Sequence, residues 1–196
     1  MKRLFIDSLS KAVKRGLYLF AAICVLETGV ALDANAQRGH RSGGVRITAD
    51  RSQPHWHYSA YPKHGAVITT IPRASARITY RGNDFFFHRG VYYHRINGRN
   101  IVVCPPIGLR VNVLPCGFLR FWVGPNPYFY YFGTYYVYRD SYYEVVKPPL
   151  GALVESIPDG YEKLEIEGQT FYIVDGVQYK PVLKDGVVWY QVVKVN

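Results

Sequence analysis

Three observations predict an all-β protein of tandem antiparallel units. The chain repeats itself with a period of about 43 residues. Short runs of Val, Ile, Tyr and Phe are cut every six to ten residues by Gly, Pro or Asp-Gly. No segment beyond the first 36 residues sustains a helical period. The repeat is plainest in "GAVITTIPRA" from Gly65, "GLRVNVLPCG" from Gly108 and "GALVESIPDG" from Gly151. At the same offset Gly90, Gly133 and Gly176 coincide, as do Tyr93, Tyr136 and Tyr179, and Pro72, Pro115 and Pro158. "PPIG" at 105–108 lies over "PPLG" at 148–151. "YQVVK" at 190–194 repeats "YEVVK" at 143–147 at a longer offset, because residues are added around Lys184-Asp185-Gly186.

Taken in order, residues 1–36 read as a secretory signal peptide. A basic start precedes the apolar run Leu17 to Leu26, and Ala34-Asn35-Ala36 supplies the small-residue cleavage pattern before Gln37. The apolar run is about half the roughly 20 residues that cross a bilayer, and Glu27 and Asp33 interrupt its continuation. Ile23 before Cys24 is too large for a lipoprotein signal. Residues 37–55 read as a flexible basic leader. Three β units follow, a divergent first over 56–103, a second over 104–146 and a third over 147–196.

Each unit is expected to hold four or five antiparallel strands. "FYIVDGVQYKPV" centres on Asp175-Gly176, a strong short hairpin signal, and the equivalent turns are Phe132-Gly133 and Arg89-Gly90. In "KLEIEG" Leu164 and Ile166 alternate with Lys163, Glu165 and Glu167, which predicts one buried face and one wet face. Roughly three units cannot close a propeller ring, so tandem β-meanders or SH3-like barrels fit better. One such unit has too little core to stand alone, and neighbours are expected to bury their tyrosines against one another.

After removal of the signal only Cys104 and Cys116 remain, and an exported chain can keep them as a disulfide. In the repeat Cys104 lies over Lys147 and Cys116 over Asp159. One reading is that these places are spatial neighbours, bridged by a disulfide in one unit and a salt bridge in the next. The other is coincidence.

The stretches "YYHRINGRNIVVCPPIG", "LPCG", "YFYYFGTYYVYRDSYYEVVKPPLGALVESIPDGY" and "FYIVDGVQYKPV" resemble a family of small exported bacterial proteins of unknown function. Its members carry a Tyr-rich hairpin followed by Val-Val-x-Pro-Pro-x-Gly and Leu-Pro-x-Gly. The resemblance spans about residues 60–196 and implies a β-rich repeat in the cell envelope, with no catalytic or binding residues to carry over. The first unit departs from it, with "YPKHG" and "PRAS" in place of the two motifs.

Candidate chemistry is sparse. His55 and His57 of "HWHY" would share a face in an extended strand and could grip a metal with His64, but no carboxylate is close in sequence. With a two-residue turn at Arg89-Gly90, His88 falls opposite Val91 and His94 opposite Phe85, which puts the two rings on opposite faces. Glu162, Glu165 and Glu167 are read as a solvated strand face rather than an acid/base pair. No G-x-S-x-G or H-E-x-x-H motif occurs. The chain is therefore read as non-enzymatic, with no metal and no cofactor.

Charge is more informative. Residues 37–127 carry twelve Arg and one Lys against Asp50 and Asp84, a net of +11, whereas residues 128–196 carry six basic and nine acidic groups, a net of −3. Arg73, Arg77, Arg81, Arg89, Arg95 and Arg99 are the candidate contacts to an anionic partner. That partner would be anionic lipid, lipopolysaccharide, an acidic polysaccharide or a protein, and the asymmetry also admits head-to-tail self-association. The bland alternative is that these arginines cover wet strand faces. Export argues against nucleic acid. The expected role is a structural or interaction module, periplasmic or associated with the outer envelope, with glycan or peptidoglycan binding through exposed aromatics and arginines as the alternative.

Overall fold

The structure is a computed structural model that describes Arg51 and residues 53–196. The expected signal peptide, its cleavage position and the leader up to residue 50 lie outside the described residues. The chain forms three five-stranded antiparallel sheets. The first contains β1 (Val67–Ile68), β2 (Ala76–Tyr80), β3 (Asn83–His88), β4 (Val91–Ile96) and β5 (Arg99–Val103). The second contains β6 (Arg110–Val111), β7 (Leu119–Val123), β8 (Asn126–Tyr131), β9 (Thr134–Arg139) and β10 (Tyr142–Val146). The third contains β11 (Leu153–Val154), β12 (Glu162–Ile166), β13 (Gln169–Val174), β14 (Val177–Lys184) and β15 (Val187–Val195). In each, the last four strands form a meander and the short first strand pairs with the fifth, giving the order β1-β5-β4-β3-β2 and its equivalents. The units are open meanders, and none of these sheets closes into a barrel.

The central hairpin of every unit turns through two residues with positive φ: Arg89 (48°) and Gly90 (85°), Phe132 (43°) and Gly133 (80°), Asp175 (50°) and Gly176 (76°). Two consecutive left-handed residues match the right-handed twist of the flanking strands, which is why such turns tolerate varied first residues but retain glycine second. The register follows, with Phe85 opposite His94 and His88 opposite Val91.

Because side chains alternate along a strand, each sheet has two faces, and the sheets pack face to face. Tyr92, Phe85 and Phe87 of the first sheet pack with Tyr136, Phe129 and Val145 of the second. The opposite face of the second, with Tyr130, Tyr135 and Phe121, packs with Tyr179, Tyr190 and Val192 of the third. One contact is repeated at both joints: the Tyr136 hydroxyl donates to that of Tyr92 at 3.1 Å, and the Tyr135 hydroxyl donates to that of Tyr179 at 3.3 Å. Each later unit also lays a proline over the central turn of the unit before. A Cβ on Gly90 would lie 3.0 Å from Pro115 Cγ, and one on Gly133 would lie 2.9 Å from Pro158 Cγ. The recurrent Gly and Pro are thus two halves of one joint.

Among the described residues no sheet precedes the first, and the segment before it packs without strands of its own. Tyr58 and Tyr61 pack against Tyr131 and Phe132 of the second unit's central hairpin, in the cluster that also holds Val91, Tyr93 and Val102 of the first sheet. Packing begins at the end of the expected leader: Pro54 is buried, and its carbonyl accepts from Ile157 N and Ser156 Oγ, both at 2.9 Å. His64 N donates to Asp159 O at 3.0 Å, and the His64 ring, its side chain 3% exposed, bonds the Asp175 carboxylate through Nδ1. This segment therefore ties the first sheet to the third.

At the other end the expectation for "KLEIEG" is corrected. All five residues of β12 are exposed, with Leu164 at 40% and Ile166 at 45%. The repeat equivalents Phe121 and Val123, and Ile78 and Tyr80, are packed against their clusters. The difference is position in the array: among the described residues no further sheet is stacked on the outer face of the third.

Candidate ligand-binding groove

The six arginines expected to meet an anionic partner are all exposed, but they do not converge. Arg77 lies on one face of the first sheet and pairs with Asp84, which holds the carboxyl below its usual range through that bond and one from Thr79. Arg95 donates to Asn100 Oδ1 at 3.1 Å, Arg99 stands opposite Ile96, Arg81 lies over the Tyr80 ring, Arg89 sits in the central turn and Arg73 in a loop. They are spread over both faces and both ends of the first sheet.

A second pair of cations, each over an aromatic ring, lines one groove. Strand β7 reads Leu-Arg-Phe-Trp-Val, and its alternation half-buries Leu119, Phe121 and Val123 while turning Arg120 and Trp122 outward on one face. Arg120 and Trp122 line a groove of about 370 Å³ with Gly151 and Leu153 of the next unit and with Lys184 and Trp189 of the β14–β15 hairpin. Arg120 Cζ lies 4.9 Å from the Trp122 ring centre, and Lys184 Nζ lies 5.0 Å from that of Trp189. Trp122 is 58% exposed. Among the described residues neither Arg120 nor Lys184 has an ion-pair partner.

The same groove occurs one repeat earlier with different chemistry. It measures about 360 Å³ and is lined by Arg77, Ile78, Phe87, Arg110 and Val113. Its cations are neutralised, Arg77 by Asp84 and Arg110 by Glu144 at 2.6 Å, and it has no tryptophan. The scaffold makes a groove at each joint, but only the second offers unpaired cations beside indole rings. Such a site can lay flat faces against sugar rings and attract carboxylate, sulfate or phosphate groups. The Arg-x-Trp pair is readable on a strand as two residues sharing a face. Lys184 and Trp189 could not be placed beside it without the packing of the third sheet on the second.

Three readings left open by the sequence can be followed in the structure. Cys104 and Cys116 are both free and exposed, not joined by a disulfide. Cys104 lines a cavity of about 140 Å³ with Lys147 and Asp175, whereas Cys116 lies near Tyr131. Although Cys104 as a residue is exposed, desolvation of its sulfur pushes the thiol up to about 12, helped by the Asp175 carboxylate. Asp159 takes Lys63 at 3.2 Å as its partner rather than Lys147. "HWHY" forms a 3₁₀ turn and not a strand, so His55 and His57 do not share a strand face, and His64 is held by Asp175. No group of three or more His, Cys, Asp or Glu is placed to hold a metal among the described residues.

Residues 45–196 match the model of a family of unknown function, DUF6515. No curated protein matches the chain, and no solved structure does.

Proposed function

Since the chain belongs to DUF6515, a family of unknown function, its role has to be argued from its own surface, and we propose that it is a non-enzymatic, exported interaction module of the bacterial envelope. Its partner is an anionic envelope component, such as an acidic polysaccharide, lipopolysaccharide or anionic lipid. The observation that carries this reading is the groove in which the unpaired Arg120 and Lys184 lie against Trp122 and Trp189. The exposed arginines of the first sheet, from Arg73 to Arg99, add long-range attraction. Export is supported by the basic, apolar and small-residue succession of residues 1–36.

A second reading, binding of a neutral glycan by stacking, is favoured by the exposure of Trp122. Salt separates the two, because screening weakens attraction between exposed charges while leaving stacking in place. In a pull-down from an envelope fraction at low and moderate salt, the anionic reading expects retention that is lost at the higher salt and reduced by Arg120→Ala with Lys184→Ala. Retention that survives salt and fails with Trp122→Ala would move the assignment to neutral glycan. No retention at either salt would overturn both.

A further inference from the structure

The three units leave three comparable free sheet edges, β2, β7 and β12, each paired on one side only. A free edge presents unpaired N–H and C=O groups and is a template for another strand. The three differ in what flanks their central residue. In β2 Ile78 stands between Arg77 and Thr79, both of which bond Asp84 of the neighbouring strand. In β7 Phe121 stands between Arg120 and Trp122. In β12 Leu164 stands between Lys163 and Glu165, which are bonded to each other at 2.9 Å on the exposed surface.

We infer that β12 is a homodimerisation edge, at which two copies pair their β12 strands antiparallel about a twofold axis through Leu164. Antiparallel pairing on that axis puts Lys163 of each copy opposite Glu165 of the other, and Leu164 opposite Leu164. The backbone is already phased for it. Leu164 is opposite Phe171, and Ile166 opposite Gln169 next to the two-residue turn at Glu167-Gly168, so their backbone groups face β13. The N–H and C=O groups of Lys163 and Glu165 therefore point to the open side. Each Lys163–Glu165 pair across the axis would then exchange a reciprocal pair of backbone hydrogen bonds while its side chains meet as opposite charges. The local Lys163–Glu165 bond, between groups 55% and 65% exposed, is weak enough to re-pair across the axis.

Burial supports the same edge. β12 is exposed at every position, whereas β2 and β7 half-bury their central residue. Leu164 and Ile166 lie on the face where Phe171 and Ile173 are half-buried, and twofold pairing joins the two copies of this apolar patch. Open-ended head-to-tail stacking of sheets is not required. The inference is independent of the ligand groove, whose residues lie on β7 and the β14–β15 hairpin.

Sedimentation equilibrium at low salt, on the protein as the cell processes it, tests the inference. The expected result is concentration-dependent dimerisation. Lys163→Glu, which puts like charges opposite each other twice across the axis, should weaken it by about tenfold. Lys163→Glu combined with Glu165→Lys should restore it, and this rescue excludes misfolding as the cause of the loss. A chain that stays monomeric at every concentration, or a dimer indifferent to Lys163→Glu, would overturn the inference.

Discussion

Gly133 shows how much one residue can carry. Its φ of +80° already disfavours a side chain, and a Cβ there would lie 2.9 Å from Pro158 Cγ and 3.1 Å from His64 Cε1. Gly98, at +76°, has nothing within 4 Å of the same position. Gly98→Ala is therefore expected to cost about 1–2 kcal/mol from conformation alone, and Gly133→Ala about 2–4 kcal/mol once crowding is added. Urea unfolding of the two variants side by side checks this, and equal losses would contradict the Gly–Pro joint. The buried tyrosines set a pH limit by the same local logic. Desolvation raises Tyr92, Tyr135, Tyr136 and Tyr179 above the ordinary value of 10.0, and Tyr190 to about 12. A raised folded-state value means that the unfolded chain ionises first. Stability from these hydroxyls is therefore intact below pH 10 and is lost above it, the Tyr190 share as pH rises through about 12 and the share of the others at still higher pH. The urea midpoint should not change on this account below pH 10 and should fall above it, with tyrosinate absorbance from Tyr135, Tyr136 and Tyr179 appearing only on unfolding.

Among the elements, the β4 and β9 strands each present one tyrosine to each neighbour, and the contact Tyr92–Tyr136 recurs as Tyr135–Tyr179. Tyr136→Phe removes the donor and leaves a buried hydroxyl with one partner fewer, at an expected cost of about 1–2 kcal/mol. Removing both hydroxyls, with Tyr92→Phe added, should cost less than the sum of the single changes. A double-mutant cycle by urea unfolding measures this, and strict additivity would mean that the bond contributes nothing. At this scale the sequence was readable where geometry is local. The turns at Arg89-Gly90, Phe132-Gly133 and Asp175-Gly176, with the registers they impose, follow from glycine and chain direction. The fate of Leu164 and Ile166 was not readable, because an alternating strand reports that one face is apolar but not whether anything covers it.

For the whole molecule, the stack of sheets is held at its start by the segment from Pro54 to His64, which reaches the third sheet through Asp159, Asp175, Ser156 and Ile157. His64→Ala removes the bond to Asp175 beside the Gly133 turn and should cost about 1–3 kcal/mol. One cooperative unfolding transition is expected for the native protein, because each unit is completed by its neighbours. In the variant, hydrogen exchange should quicken first in residues 54–66 and around Asp175-Gly176. Three separate transitions, or exchange unchanged in that segment, would refute this account of the stack.

What the amino-acid order by itself determined is the class, the period and the hairpins, because strand alternation, turn chemistry and repetition act over a few residues. It also announced the material of the joints, in the recurrent glycine, proline and tyrosine. Only the tertiary structure decided which partner each surface residue meets. It separated Cys104 from Cys116, gave Asp159 to Lys63 and held His64 against Asp175. It also set Arg120, Trp122, Lys184 and Trp189 around one groove while spreading the arginines of the first sheet apart. Those outcomes depend on contacts between units, and an interface between residues about 30 to 110 positions apart is set by how whole sheets stack and not by the local pattern of either one.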